Sequence, residues 1–147
     1  MNATQTRTQL LAHHDRLRQE LEVCTSLARR VRAGEHVTLE LDAALTQLRA
    51  DFAEHNEVES AVIRRLLHRS TGWGTLLIDR MLEEHAGEHA AFWELLSGTR
   101  RQMIGRIDDL ADQLDAHMAA EERTFLSPGT LRDDVISRRT ASTSAAP

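Results

Sequence analysis

The sequence predicts an all-α protein, an antiparallel up-down-up-down four-helix bundle. Three observations point there. Apolar residues recur in alternating steps of four and three along four separate stretches, which is the seam of a helix packed against other helices. The 147 residues include two prolines, no Tyr and 3% aromatics, so the core has to be built from Leu, Ile, Val and Ala. Such a composition suits long helices better than a sheet, where aromatic and β-branched side chains dominate. Finally, clusters of Gly, Ser and Thr fall between the stretches, where turns are needed.

The first stretch carries Leu10, His14, Leu17, Leu21, Cys24, Ala28 and Val31 on one face and predicts a helix over 5–32, with Gly34 in "AGEHVT" as its C-cap. The second carries Leu41, Leu45, Leu48, Phe52, His55, Glu59, Val62 and Leu66 and predicts a helix over 38–68, followed by the glycines of "RSTGWG". The third, over 75–97, carries Ile78, Leu82, His85, His89, Phe92 and Leu96 and stops at Ser97 and Gly98. The fourth, over 99–127, carries Met103, Leu110, Leu114, His117 and Glu121, the step across 107 being made by Ile107 or its neighbours, with Pro128 and Gly129 as its end. Short connections make sequential helices antiparallel neighbours. Residues 1–128 are thus expected to form one domain, and the small, polar segment 129–147 a partly disordered tail.

Charge and composition narrow the function. A formal net charge of −5, with basic residues in short runs rather than a stripe, argues against a nucleic-acid partner. Arg29, Arg30 and Arg32, and again Arg64 and Arg65, fall near predicted helix C-termini, where cations complement the dipole. The N-terminal "MNATQTRTQLLAHH" has no apolar signal-peptide core and no stretch approaches a membrane span, so no membrane partner is expected. The single cysteine, Cys24, excludes an internal disulfide and is compatible with a reducing, cytoplasmic setting.

The seams hold a contradiction. His14, His55, Glu59, His85, His89, His117 and Glu121 occupy positions where a soluble bundle wants Leu. Burying one unpaired polar or charged group costs several kcal/mol, so the set must be satisfied by something. A lone seam histidine is usually a satisfied core residue, and one H-x-x-x-H is weak. Here all four helices contribute, and their positions along the helices fall within a turn or two of one level at 1.5 Å per residue. Five imidazoles and two carboxylates converging at one level are a metal-ligand inventory. Two rival metal motifs are absent. No histidine has an acidic residue three positions before it, as the Glu-x-x-His di-metal pattern requires, and there is no H-E-x-x-H.

The order H, then H-x-x-x-E, then H-x-x-x-H, then H-x-x-x-E-E, in "LLAHHDRLRQEL", "FAEHNEVESAVI", "MLEEHAGEHAAFWELL" and "LDAHMAAEERTFLSP", resembles the hemerythrin family, including its HHE cation-binding domains. The resemblance spans residues 10 to 128. It implies a hemerythrin-like bundle around a non-heme di-iron centre, two iron ions (Fe2+/Fe3+) bridged by oxo or hydroxo. It further implies His14, His55, His85, His89 and His117 as terminal ligands, with Glu59 and a helix-four glutamate as bridges. Glu121 is preferred for the second bridge because its spacing parallels His55/Glu59, with Glu122 as the alternative. His13 competes with His14, but only His14 continues the seam through Leu17 and Leu21. His36 and His68 fall in or beside loops and read as surface residues.

Such a ligand set leaves one of about twelve positions on two six-coordinate ions open. The family's ligand there is O2, and related proteins handle NO or H2O2. Leu17, Phe52, Phe92 and Leu114 would form an apolar ligand pocket that keeps water away, besides serving as ordinary core. Three other functions fit the same residues: an enzyme that decomposes hydrogen peroxide or oxidises iron, an iron or redox sensor, and a metal-free helical interaction domain.

Overall fold

The computed structural model describes residues 2–67 and 73–129, with side chains described for 2–65 and 79–129. His68, most of the "RSTGWG" connection, the seam positions Leu66 and Ile78, and the tail from 130 onward lie outside those limits. The described residues form four α-helices and no strand: α1 (Ala3–Arg32), α2 (Thr38–Leu67), α3 (Trp73–Leu96) and α4 (Arg100–Arg123). None is long and apolar enough to cross a membrane.

Local sequence explains most boundaries. Helix α1 begins two residues earlier than its stripe suggests, because Asn2 and Gln5 form a reciprocal capping box. It ends at Ala33, and Gly34 directly beyond takes φ +88, the left-handed conformation that glycine adopts without penalty. Thr99 and Gln102 form a second capping box, which starts α4. The basic residues expected at helix ends lie in the last turns of α1 and α2.

Helix α3 also begins early, at Trp73 rather than 75, and the largest difference lies at the end of the fourth helix. Helix α4 stops at Arg123 rather than running to 127. The Thr124 hydroxyl turns back onto the Ala120 carbonyl at 2.8 Å, and the Leu126 amide bonds the Glu121 carbonyl. This tight turn swings Phe125 and Leu126 into the interior, where both are buried. Their burial, roughly 1.5–3 kcal/mol per large apolar side chain, outweighs one more turn of helix.

Cross-helix contacts run in opposed order. Going up α1, His14, Arg16 and Glu20 meet His55, Asp51 and again Asp51 on α2. Arg7, His14, Arg18 and Arg32 meet Leu126, Glu122, Asp115 and Asp108 at the other flank. Along α2, Arg49, Phe52, His55 and Glu59 meet Leu96, Phe92, His89 and His85 on α3. The interior is apolar at both ends. A larger cluster includes Leu21, Leu45, Leu48, Phe52, Phe92, Leu96, Leu110 and Leu114, and a smaller one Leu10, Val62, Ile63, Phe125 and Leu126. Between them lies a layer of histidine and glutamate.

Candidate metal centre

All seven polar seam residues meet in that layer. His14 and Glu59 are fully buried, His55, Glu121 and His89 nearly so, and His85 and His117 expose only an edge. Helical geometry delivers them in pairs, since residues four apart project from one face. His55 and Glu59 come from α2, His85 and His89 from α3, His117 and Glu121 from α4, and His14 alone from α1.

Their donor atoms gather in two groups. One comprises His14, His55, Glu59 and Glu121, the other His85, His89, His117 and Glu121; within each, the donor atoms lie within 4.8 Å of one another. Glu121 belongs to both. Its Oε1 lies 2.5 Å from His117 Nε2 and 2.9 Å from His85 Nε2, while Oε2 lies 3.1 Å from His14 Nε2. Glu59 spans the layer too, with Oε2 2.6 Å from His55 Nε2 and Oε1 2.7 Å from His85 Nε2.

Whether these residues suit metal ions can be judged from how they treat one another. Buried polar atoms are almost always hydrogen-bonded. Here His14 Nε2, His89 Nε2, His117 Nε2, Glu121 Oε2 and both Glu59 oxygens are buried without a hydrogen-bond partner. Several sit close to an oppositely charged atom but out of line with it. The donors therefore converge on shared points of space, as ligands of an ion do. Imidazole nitrogen and carboxylate oxygen are the donor types for iron, zinc or manganese, and the set fits divalent cations.

The electrostatics agree. Burial opposes ionisation of Glu121, but His117, His14 and His85 overcome it and hold its carboxyl far below the usual range. Burial likewise opposes Glu59, and His55 and His85 hold it below its usual value. Burial also works against charging His85, yet Glu121 and Glu59 push it up to about 10. His14 and His117 are raised by the same contest. His89 is the exception. Burial dominates there and lowers it to about 4, leaving a neutral imidazole. Positive charge on His85, favoured also on His14 and His117, thus compensates two buried carboxylates, a task that cations could take over.

The two adjacent glutamates of α4 face different ways. Glu121 points into the layer, whereas Glu122 Oε1 bonds the outer nitrogen of His14, Nδ1, at 2.8 Å. His13 is buried, its ring edge-on to His55 at 6.0 Å, but it belongs to neither donor group. His36 is exposed. Among the apolar residues, Phe52 lies edge-on to His89 at 5.9 Å and Phe92 to His117 at 5.3 Å. Leu17 and Leu114 are buried in the same apolar cluster.

Sequence reasoning missed two neighbours of the site. Phe125 packs edge-on against His85 at 5.5 Å, closing the layer from the opposite end to Phe52. Its position four residues after Glu121 was a usable signal. Glu88 Oε2 lies 2.6 Å from the outer nitrogen of His117, and as a surface glutamate it carried no signal.

Fold and site together define a helical protein with a buried histidine–glutamate centre suited to metal cations. The chain belongs to the hemerythrin family: the model of the hemerythrin HHE cation-binding domain matches residues 6–128. No curated protein and no solved structure matches it.

Proposed function

We propose that this chain is a non-heme di-iron protein that binds O2, or a related small ligand such as NO or H2O2, inside an antiparallel up-down-up-down bundle. The observation that carries the reading is the pair of donor groups joined by Glu121, with Glu59 reaching into both. The opposed order of the cross-helix contacts supports the antiparallel arrangement.

In this reading His85, His89 and His117 hold one iron, and His14 and His55 the other. Glu59 and Glu121 bridge them, and Glu122 is set aside because its carboxylate faces the outer nitrogen of His14. When bound, the iron pair would supply redox-active centres with a position open to a small ligand. The protein's own part is to hold and to exclude. Phe52 and Phe92 line one side of the layer and Phe125 closes the other. Leu17 and Leu114 fill the apolar core beside it. Buried, free Cys24 sits well within a reducing, cytoplasmic setting.

Two measurements test the proposal. Metal analysis of the purified protein is expected to give two irons per chain, and zinc or no metal would overturn the di-iron assignment. Anaerobic reduction followed by air is expected to give a new visible absorption band that disappears on deoxygenation, and an unchanged spectrum would rule out O2 binding. Sustained peroxide turnover, lost in Glu59→Ala, would instead favour the enzymatic reading.

A further inference from the structure

Two carboxylates outside the donor layer each touch the outer nitrogen of one histidine within it. Glu122 Oε1 lies 2.8 Å from His14 Nδ1, and Glu88 Oε2 lies 2.6 Å from His117 Nδ1. The other nitrogens of the same rings, both Nε2, face Glu121. The two contacts fall on different donor groups, since His14 belongs to one and His117 to the other. By contrast, His55 Nδ1 is buried without a hydrogen-bond partner.

We propose that Glu122, backed by Arg18, and Glu88 are positioning residues that each set the ring of one histidine, so that the two metal positions are tuned from outside by separate carboxylates. The inference rests on the di-metal reading above. An ionised carboxylate can only accept, so it places the ring proton on Nδ1 and leaves the Nε2 lone pair turned inward, free to ligate.

The two supports are built differently. Arg18 Nη1 lies 2.9 Å from Glu122 Oε1, and Arg18 Nε donates to Asp115 Oδ1 at 2.7 Å. Glu122, on α4, is therefore held by two α1 side chains, His14 and Arg18, and its charge is partly compensated. Glu88 is 53% exposed and has no Arg or Lys in ion-pair range among the described residues. Arg18 touches neither donor group itself, so its influence on metal must pass through Glu122.

Metal titration of the full-length protein with Co2+, against a competing chelator, tests this. The wild-type chain is expected to take two equivalents, assigned by their loss in His14→Ala and His117→Ala. Glu122→Gln is expected to weaken the His14 equivalent about 10- to 100-fold and leave the other nearly unchanged, with Glu88→Gln doing the reverse. Glu122→Asp and Glu88→Asp should restore part of the affinity. Combining Glu122→Gln with Arg18→Gln should cost no more than Glu122→Gln alone. Circular dichroism of the metal-free variants should match wild type, since both glutamates lie outside the core. If both equivalents weaken together, or neither moves while wild type binds two, the positioning roles are wrong. If wild type binds no metal, the di-metal reading itself falls, and this inference with it.

Discussion

Glu59 and Glu121, from α2 and α4, reach the same ring nitrogen: His85 Nε2 lies 2.7 Å from Glu59 Oε1 and 2.9 Å from Glu121 Oε1. Two buried carboxylates brought this close repel each other unless positive charge stands between or beside them. Each also reaches histidines of both donor groups. Removing one should therefore do more than removing a terminal histidine. Glu59→Ala and Glu121→Ala are expected to lose both metal ions, whereas His14→Ala and His89→Ala are expected to lose one. Metal content per chain after dialysis reads the difference, and retention of one full equivalent in Glu121→Ala would show that Glu121 does not bridge.

Metal loading should release protons. His85 is pushed up to about 10, so its ring carries a proton at neutral pH in the metal-free fold, and the neighbouring carboxylates make His14 and His117 hold their protons more tightly than an ordinary imidazole. A ligating imidazole must be neutral. Binding is thus expected to acidify a weakly buffered solution and to tighten as pH rises from 6 toward 9. Titration calorimetry in buffers of different ionisation heat would count the protons. No release at pH 7 would mean that cations do not replace the imidazolium charges.

His13 and His14 stand side by side, and both are buried. Only His14 belongs to a donor group. His14→Leu is expected to remove one metal equivalent, while His13→Leu should keep both, with exposed His36→Ala as the neutral control. Loss of metal in His13→Leu with retention in His14→Leu would exchange their roles.

Away from the centre, Glu20 of α1 faces Asp51 of α2, with Arg16 3.6 Å from Asp51, and Glu20 Oε2 is buried without a hydrogen-bond partner. Burial first, and then Asp51, push the Glu20 carboxyl up to about 8 from 4.5. Its contribution to stability is full below 4.5 and is lost as pH climbs toward 8, because the unfolded chain gives up this proton first. Asp51 is lowered mainly by the facing Glu20 carboxyl, so its contribution fades only on the acid side. Glu20→Gln keeps a donor for Asp51 and cannot ionise. Its stability relative to wild type should rise between pH 5 and 8, read by urea unfolding across that range. A difference that stays flat with pH would show that Glu20 is ionised throughout.

Gly87 lies between His85 and His89 in α3, on the exposed side. A Cβ added there meets no atom within 4 Å. Gly87→Ala is expected to stabilise the fold by about 1 kcal/mol through helix propensity alone, with metal content unchanged. Thermal unfolding of the metal-free protein measures it, and a destabilised variant would show that the helix needs flexibility at this point.

Much of the centre was legible because helical periodicity reports on faces. The steps from Phe52 to His55 to Glu59, and from Leu114 to His117 to Glu121, place each polar residue where its apolar neighbours in the stripe are buried. What escaped were relations between helices. Nothing in the order of residues ties Glu88 to His117, or Glu20 to Asp51, since each pair depends on which side chains meet across a gap. The stop at Arg123 was also hidden. It depends on burying Phe125 and Leu126 beneath α1 and α2, not on the Pro128–Gly129 signal downstream.

By itself, then, the sequence determined the helices, the faces they bury and the seven polar residues that share one level, because a 3.6-residue period converts spacing into direction. Only the tertiary structure decided between neighbours. A turn of about 100° per residue separates Glu121, which enters the donor layer, from Glu122, which stays outside on His14 Nδ1. Packing of α1 against α4 fixes that choice through Arg18, a contact made by residues 97 and more positions apart along the chain.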